Sequence, residues 1–162
     1  MMRVTAVVIA VIASLVQVAV VPSVLPGAEA LPLLPLAILA AWGAVRPASE
    51  VCIALPAVAI VLGVSSQERV GWYLLACVPL AAALLLAPER EVWPRRLARA
   101  PIAAGLGACA YGTLLLVASG RVQALPGETF AIGGAALVTA LIAALCVAVL
   151  VPLRARSVGL YE

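Results

Sequence analysis

The sequence predicts an all-α, polytopic membrane protein with six transmembrane helices. Three observations carry this reading. Hydrophobic residues make up 66% of the 162-residue chain, and charged residues only 10%. The apolar residues gather into six stretches, and a helix needs about 20 apolar residues to cross a hydrocarbon core of roughly 30 Å. The segments between the stretches alternate between arginine-poor and arginine-rich. Six spans and their short connections use nearly the whole chain, so residues 1–162 read as a single transmembrane domain.

The first span lies near 4–25. Arg3, the apolar run behind it and the Ala28-Glu29-Ala30 end together imitate a signal peptide. The run is longer than a usual signal core and Gln17 interrupts it, so it reads as a retained helix. The second span, near 32–46, opens with Pro32 and Pro35, where a missing N–H costs little. It and the third span, near 51–66, are short for a full crossing. Short spans tilt, thin the bilayer locally or pack inside the bundle. The remaining spans lie near 70–87, 97–119 and 129–152. Pro56, Pro79 and Pro101 fall inside spans and are expected to kink them, with neighbouring helices satisfying the freed carbonyls.

Charge sets the expected orientation. With the N-terminus in the cytoplasm, the inner segments hold Arg3, Arg46, Arg90, Arg95, Arg96, Arg99, Arg154 and Arg156. The outer loops hold only Arg69 and Arg121, beside Glu29, Glu68 and Glu128. Cytoplasmic loops carry the arginine excess in membrane proteins, so both termini are expected inside. The net charge of +3 follows from the same bias and calls for no nucleic-acid partner.

Composition also narrows the chemistry. There is no His; all ten basic residues are Arg and all seven acidic residues are Glu. Acid–base catalysis draws mostly on His, Asp, Glu and Lys, and every Glu is expected outside the apolar cores. No ionisable group for ion coupling is expected at mid-membrane. Nucleotide-loop, zinc-protease and serine-hydrolase motifs are absent. Cys52, Cys77, Cys109 and Cys146 lie in four different spans with no CxxC spacing. They read as small packing residues. The expectation is a protein that is not an enzyme and holds no cofactor and no metal.

A few residues stand out as packing or binding candidates. Ala104, Ala108 and Gly112 recur at four-residue spacing in the fifth span, and Ala136, Ala140 and Ala144 in the sixth. Small residues at this spacing let helix backbones approach closely. Such a face serves either packing within the bundle or the docking of a partner's transmembrane helix. Gln17 is the most polar side chain inside any span and is expected to bond a neighbouring helix or a backbone carbonyl. Ser14, Thr113 and Thr139 can satisfy themselves against their own helices. The segment Pro88–Arg99, with Arg90, Trp93, Arg95, Arg96 and Arg99, reads as a cytoplasmic basic loop. It anchors the chain at the interface or attracts anionic lipid or an acidic partner. Trp42, Trp72 and Tyr73 fall near helix ends, as interfacial aromatics do. Tyr111 lies deeper and needs a partner for its hydroxyl.

The order of features resembles MreD, a multi-pass membrane family of the bacterial rod-shape system. The likeness begins at Ser14-Leu15-Val16-Gln17 and runs through Leu31-Pro32-Leu33-Leu34 and the Trp42 to Pro47 turn. It is best from Gly63 to Trp72, in Gly63-Val64-Ser65-Ser66-Gln67-Glu68-Arg69-Val70-Gly71-Trp72, and ends at Val151-Pro152-Leu153-Arg154. Gly63 stands where an acidic residue is common in that family. The resemblance implies a fold similar to the substrate-binding subunits of energy-coupling-factor transporters. It implies a non-enzymatic scaffold in the bacterial inner membrane that binds MreC and helps position RodA-PBP2, with cytoplasmic loops facing MreB. The alternative is a small-molecule (vitamin) binding subunit of an energy-coupling-factor transporter. That role needs an aromatic-lined pocket near the outer face, to which Trp72, Tyr73 and Gln17 would contribute.

Overall fold

The computed structural model describes residues 2–24, 31–66, 69–86 and 93–151, and all regular structure among them is helical. Helix α1 spans Met2–Ala19 and leads into one further turn, α2, at Val21–Val24. Then come α3 (Leu34–Val45), α4 (Ala48–Ser65), α5 (Val70–Leu85), α6 (Trp93–Ala118) and α7 (Leu125–Leu150). A 3-10 turn at Val122–Ala124 joins the last two. Helices α4, α5 and α6 continue through Pro56, Pro79 and Pro101.

Three helices, not six, are long and apolar enough by themselves to cross a membrane: α4, the Leu97–Ala118 part of α6, and the Pro126–Leu150 part of α7. The apolar parts of α1, α3 and α5 are shorter. The physical reason is clearest for α3, whose 12 residues reach about 18 Å at 1.5 Å per residue.

Helix α3 is short because it is central. Ten of its residues are buried, from Pro35 to Val45. It packs against α1, α4, α6 and α7. Its sequence is apolar all round, as a helix with neighbours on every side requires. Leu36 and Leu39 of α3, with Val51, Val58 and Leu80 of its neighbours, are fully buried and form the middle of the core.

A helix leaves its first N–H groups without intrahelical partners. Inside an apolar bundle no water is at hand to meet them. At α3, Pro35 removes one donor altogether. The Leu34 N–H donates to Gln17 Oε1 of α1 at 2.9 Å. The Leu33 N–H donates to Thr139 Oγ1 of α7 at 3.0 Å. Thr139 donates its own hydroxyl to Ala135 O at 2.5 Å, so it serves both helices. Ser14 and Thr113 donate to carbonyls of their own helices.

The α4–α5 connection depends on Gly63. A Cβ there would lie 2.8 Å from Val70 Cα, a backbone atom that cannot turn aside. The two helices meet where the chain reverses between them. A side chain of any size at this position has no room unless the turn shifts.

Two outcomes follow from this packing. Gln17→Leu and Thr139→Val should each lower the stability of the detergent-purified protein by about 1–3 kcal/mol, because each strands a backbone N–H. Thermal unfolding followed by circular dichroism measures this, and unchanged midpoints for both would remove the capping role. Gly63→Ala should cost about 1–3 kcal/mol by overpacking. A melting curve equal to that of the unaltered protein would show that the α4–α5 turn yields freely.

Candidate functional site

The antiparallel helices sort the charges toward two ends of the bundle. At one end lie Arg46 after α3, Glu50 in the first turn of α4, and Arg95 and Arg99 in the first turns of α6. Ala41, Ala44, Ala100 and Val147 pack together there. At the other end lie Arg69, Arg121 and Glu128, around the starts of α5 and α7.

The arginine-rich end contains a buried polar pair. Trp42 Nε1 donates to Glu50 Oε2 at 2.9 Å. Glu50 is only 9% exposed and Trp42 4%. This corrects two expectations, that every Glu lies outside the apolar core and that Trp42 sits in an interfacial belt. The tight Arg46-Pro47 connection folds the first turn of α4 back beside the last turn of α3. The carboxylate then rests at a helix N-terminus, where the dipole favours negative charge. The buried indole N–H gains the acceptor it requires. The basic segment also differs from expectation, because α6 begins at Trp93 and makes Arg95, Arg96 and Arg99 helical rather than loop residues. Arg95 is exposed. Arg99 Nη2 donates to Ala83 O at 2.6 Å, meeting a carbonyl in the last turn of α5. Arg90 lies outside the described residues.

The opposite end contains a cavity of about 440 Å³. Its walls come from the start of α5, the second half of α6, the first half of α7, and Leu31 and Leu33 ahead of α3. Space exists because α6 and α7 present Ala108, Gly112, Ala131 and Ala135 toward it. Trp72, Tyr73 and Tyr111, three of the chain's few aromatic residues, all line it. The Tyr73 and Tyr111 rings meet edge to face, with centroids 6.1 Å apart and planes at 61°. Arg121 and Glu128 form a loose ion pair at the rim, 3.7 Å from Nη2 to Oε1. Their side chains are 64% and 41% exposed, so the pair contributes roughly 0–1 kcal/mol to stability.

The small-residue candidates divide among different roles. Ala104 is fully buried in the core and Ala136 nearly so. Ala108 and Gly112 line the cavity. Ala140 faces α6 at Gly105, where an added Cβ would lie 3.4 Å from the Ala140 Cβ. Ala144 is exposed. Gln17 caps α3 and does not line the cavity. Sequence reasoning passed over Glu50, Thr139 and Tyr111 as members of these constellations. For Glu50 a signal existed, since a Trp ending one helix eight residues before a Glu opening the next suits a tight helical hairpin. For Thr139 and Tyr111 no local signal exists, because their partners lie far away along the chain.

Compared with known protein families, curated proteins and solved structures, the chain matches none.

Trp42→Phe should destabilise the protein by about 1.5–3 kcal/mol, the range for losing a hydrogen bond to a charged group. Glu50→Gln should be milder, because an amide oxygen can still accept from the indole. Equal melting points for Trp42→Phe, Glu50→Gln and the unaltered protein would show that the pair carries no stability.

Proposed function

We propose that the chain is a six-pass protein of the bacterial inner membrane with both termini in the cytoplasm. In this reading it is a non-enzymatic scaffold of the cell-elongation complex. It binds MreC and helps position the RodA-PBP2 peptidoglycan synthase for cell-shape maintenance, with its cytoplasmic face toward MreB. The resemblance to MreD motivates the partners.

The observation that carries the reading is the contrast between interior and exterior. Inside, Gln17, Ser14 and Thr139 are engaged with helix backbone. Outside, α1 exposes Val8, Ile12 and Leu15, and α7 exposes Leu137, Leu141, Leu145 and Val149. Apolar faces of this kind find only lipid or another membrane helix to meet, and close packing is what holds such helices together. The gathering of Arg46, Arg95 and Arg99 at one end supports the orientation, because that end is the one the arginine bias assigns to the cytoplasm. The short helices α1, α3 and α5 complete the six passes where the bundle surrounds them or the bilayer thins.

The cavity favours a second reading, a small-molecule (vitamin) binding subunit of an energy-coupling-factor transporter. It lies at the end assigned to the outer face and gathers the aromatic residues that such a site needs.

Purification from the native membrane separates the two. A scaffold should co-elute with MreC and RodA-PBP2; a transporter subunit should co-elute with an ATPase-bearing energizing module. Topology is read by labelling single Cys residues in a background lacking the native ones. Position 121 should react in intact cells and position 96 only after the membrane is opened. The reverse pattern would invert the orientation and sink the assignment of faces.

A further inference from the structure

The cavity has a chemical gradient along its depth. Tyr111 is 6% exposed, Tyr73 is half-buried, Trp72 is 39% exposed, and the charged pair Arg121 and Glu128 lies at the exposed rim. The cleft opens at the end of the bundle, and its space of about 440 Å³ falls in the size range of small-molecule sites, roughly 300–1,000 Å³. The small residues Ala108, Gly112 and Ala135 keep it open.

We propose that this cavity binds a small amphiphile with a zwitterionic head. The apolar or aromatic body lies against Tyr73, Tyr111 and Ile132, and the two charges of the head meet Arg121 and Glu128. The argument for both charges is electrostatic. The guanidinium and the carboxylate sit 3.7 Å apart. An anionic head that approaches Arg121 is repelled by Glu128, and a cationic head meets the mirror problem. A head that carries both signs satisfies both groups at once. Two sources share this chemistry, an outer-leaflet phospholipid such as phosphatidylethanolamine and a soluble amino-acid-like zwitterion. The inference deepens the second reading above, rests on the cavity being a ligand site, and is independent of the scaffold role.

Native mass spectrometry of the full chain in detergent tests it. The probes are dihexanoyl phosphatidylethanolamine, dihexanoyl phosphatidylglycerol and L-phenylalanine. At least one zwitterionic probe should occupy a single saturable site more tightly than phosphatidylglycerol. Retention of the phospholipid alone identifies a lipid source, and retention of phenylalanine identifies a soluble one. Glu128→Gln should move the preference toward phosphatidylglycerol by up to about fivefold, the ceiling for an exposed ion pair. Ala131→Trp should fill the cavity and abolish binding, and Ala118→Trp on another wall serves if the first variant fails to fold. Binding that survives a folded cavity-filling variant would place the ligand elsewhere and overturn the proposal. Tighter binding of phosphatidylglycerol that the same variant abolishes would overturn the zwitterionic head and leave the second reading standing. No saturable binding by any probe would overturn the proposal and leave the second reading to the co-purification test.

Discussion

The structure depends on one constraint: a short helix that begins inside an apolar bundle must have its first N–H groups satisfied there. An unpaired amide in a medium that cannot hydrogen-bond costs several kcal/mol. Gln17 of α1 and Thr139 of α7 meet this demand for α3. Both are therefore fixed in rotamer, and through them α1 and α7 are fixed in rotation and height relative to α3. Packing alone gives apolar helices little such specificity, because one apolar face slides over another at small cost. The polar contacts choose the register, and the apolar contacts of Leu36, Leu39, Val51 and Leu80 then fill it.

The same contacts shape the cavity. Leu33, whose N–H is held by Thr139, is also part of the cavity wall. Ala135, whose carbonyl accepts the Thr139 hydroxyl, is part of the wall on the other side. The cavity is thus framed by the groups that cap α3. Its volume is set by hydrogen bonds at one edge and by the size of Ala108 and Gly112 at another.

The helical class was legible in the chain because apolar runs bounded by proline, glycine and charge leave few other folds. The hierarchy among the helices was not. Pro32 and Pro35 marked the start of α3, and its short length left tilting, local thinning and packing inside the bundle as open alternatives, with nothing local to choose the central position. That choice lies in what surrounds it, namely buried contacts from Leu80 and Ala104 far away in sequence. Gln17 was legible as a polar group in need of a partner, and its partner, the Leu34 N–H, was not. The candidate site was legible only in pieces. Trp72 and Tyr73 were visible as aromatics at a helix end, whereas the meeting of Tyr73 with Tyr111 depends on how α5 leans on α6. The buried state of Glu50 escaped because a carboxylate beside a loop looks solvated until the fold of the turn is known.

The two ends of the bundle use charge in opposite ways. At the arginine-rich end charges are drawn into structure: Glu50 holds the Trp42 indole, and Arg99 holds a carbonyl at the end of α5. A ligand there would have to break contacts that hold helices together. At the other end Arg121 and Glu128 hold mainly each other, at 3.7 Å and largely in the open. Exchanging that loose contact for contacts to a ligand head costs little, since an exposed pair is worth at most about 1 kcal/mol. The aromatic walls beneath add apolar area at roughly 25 cal/mol per Å². Under the proposed ligand reading, recognition chemistry therefore falls to the arginine-poor end. The arginine-rich end fixes the fold, and under the proposed topology it also fixes the direction in which that fold crosses the membrane.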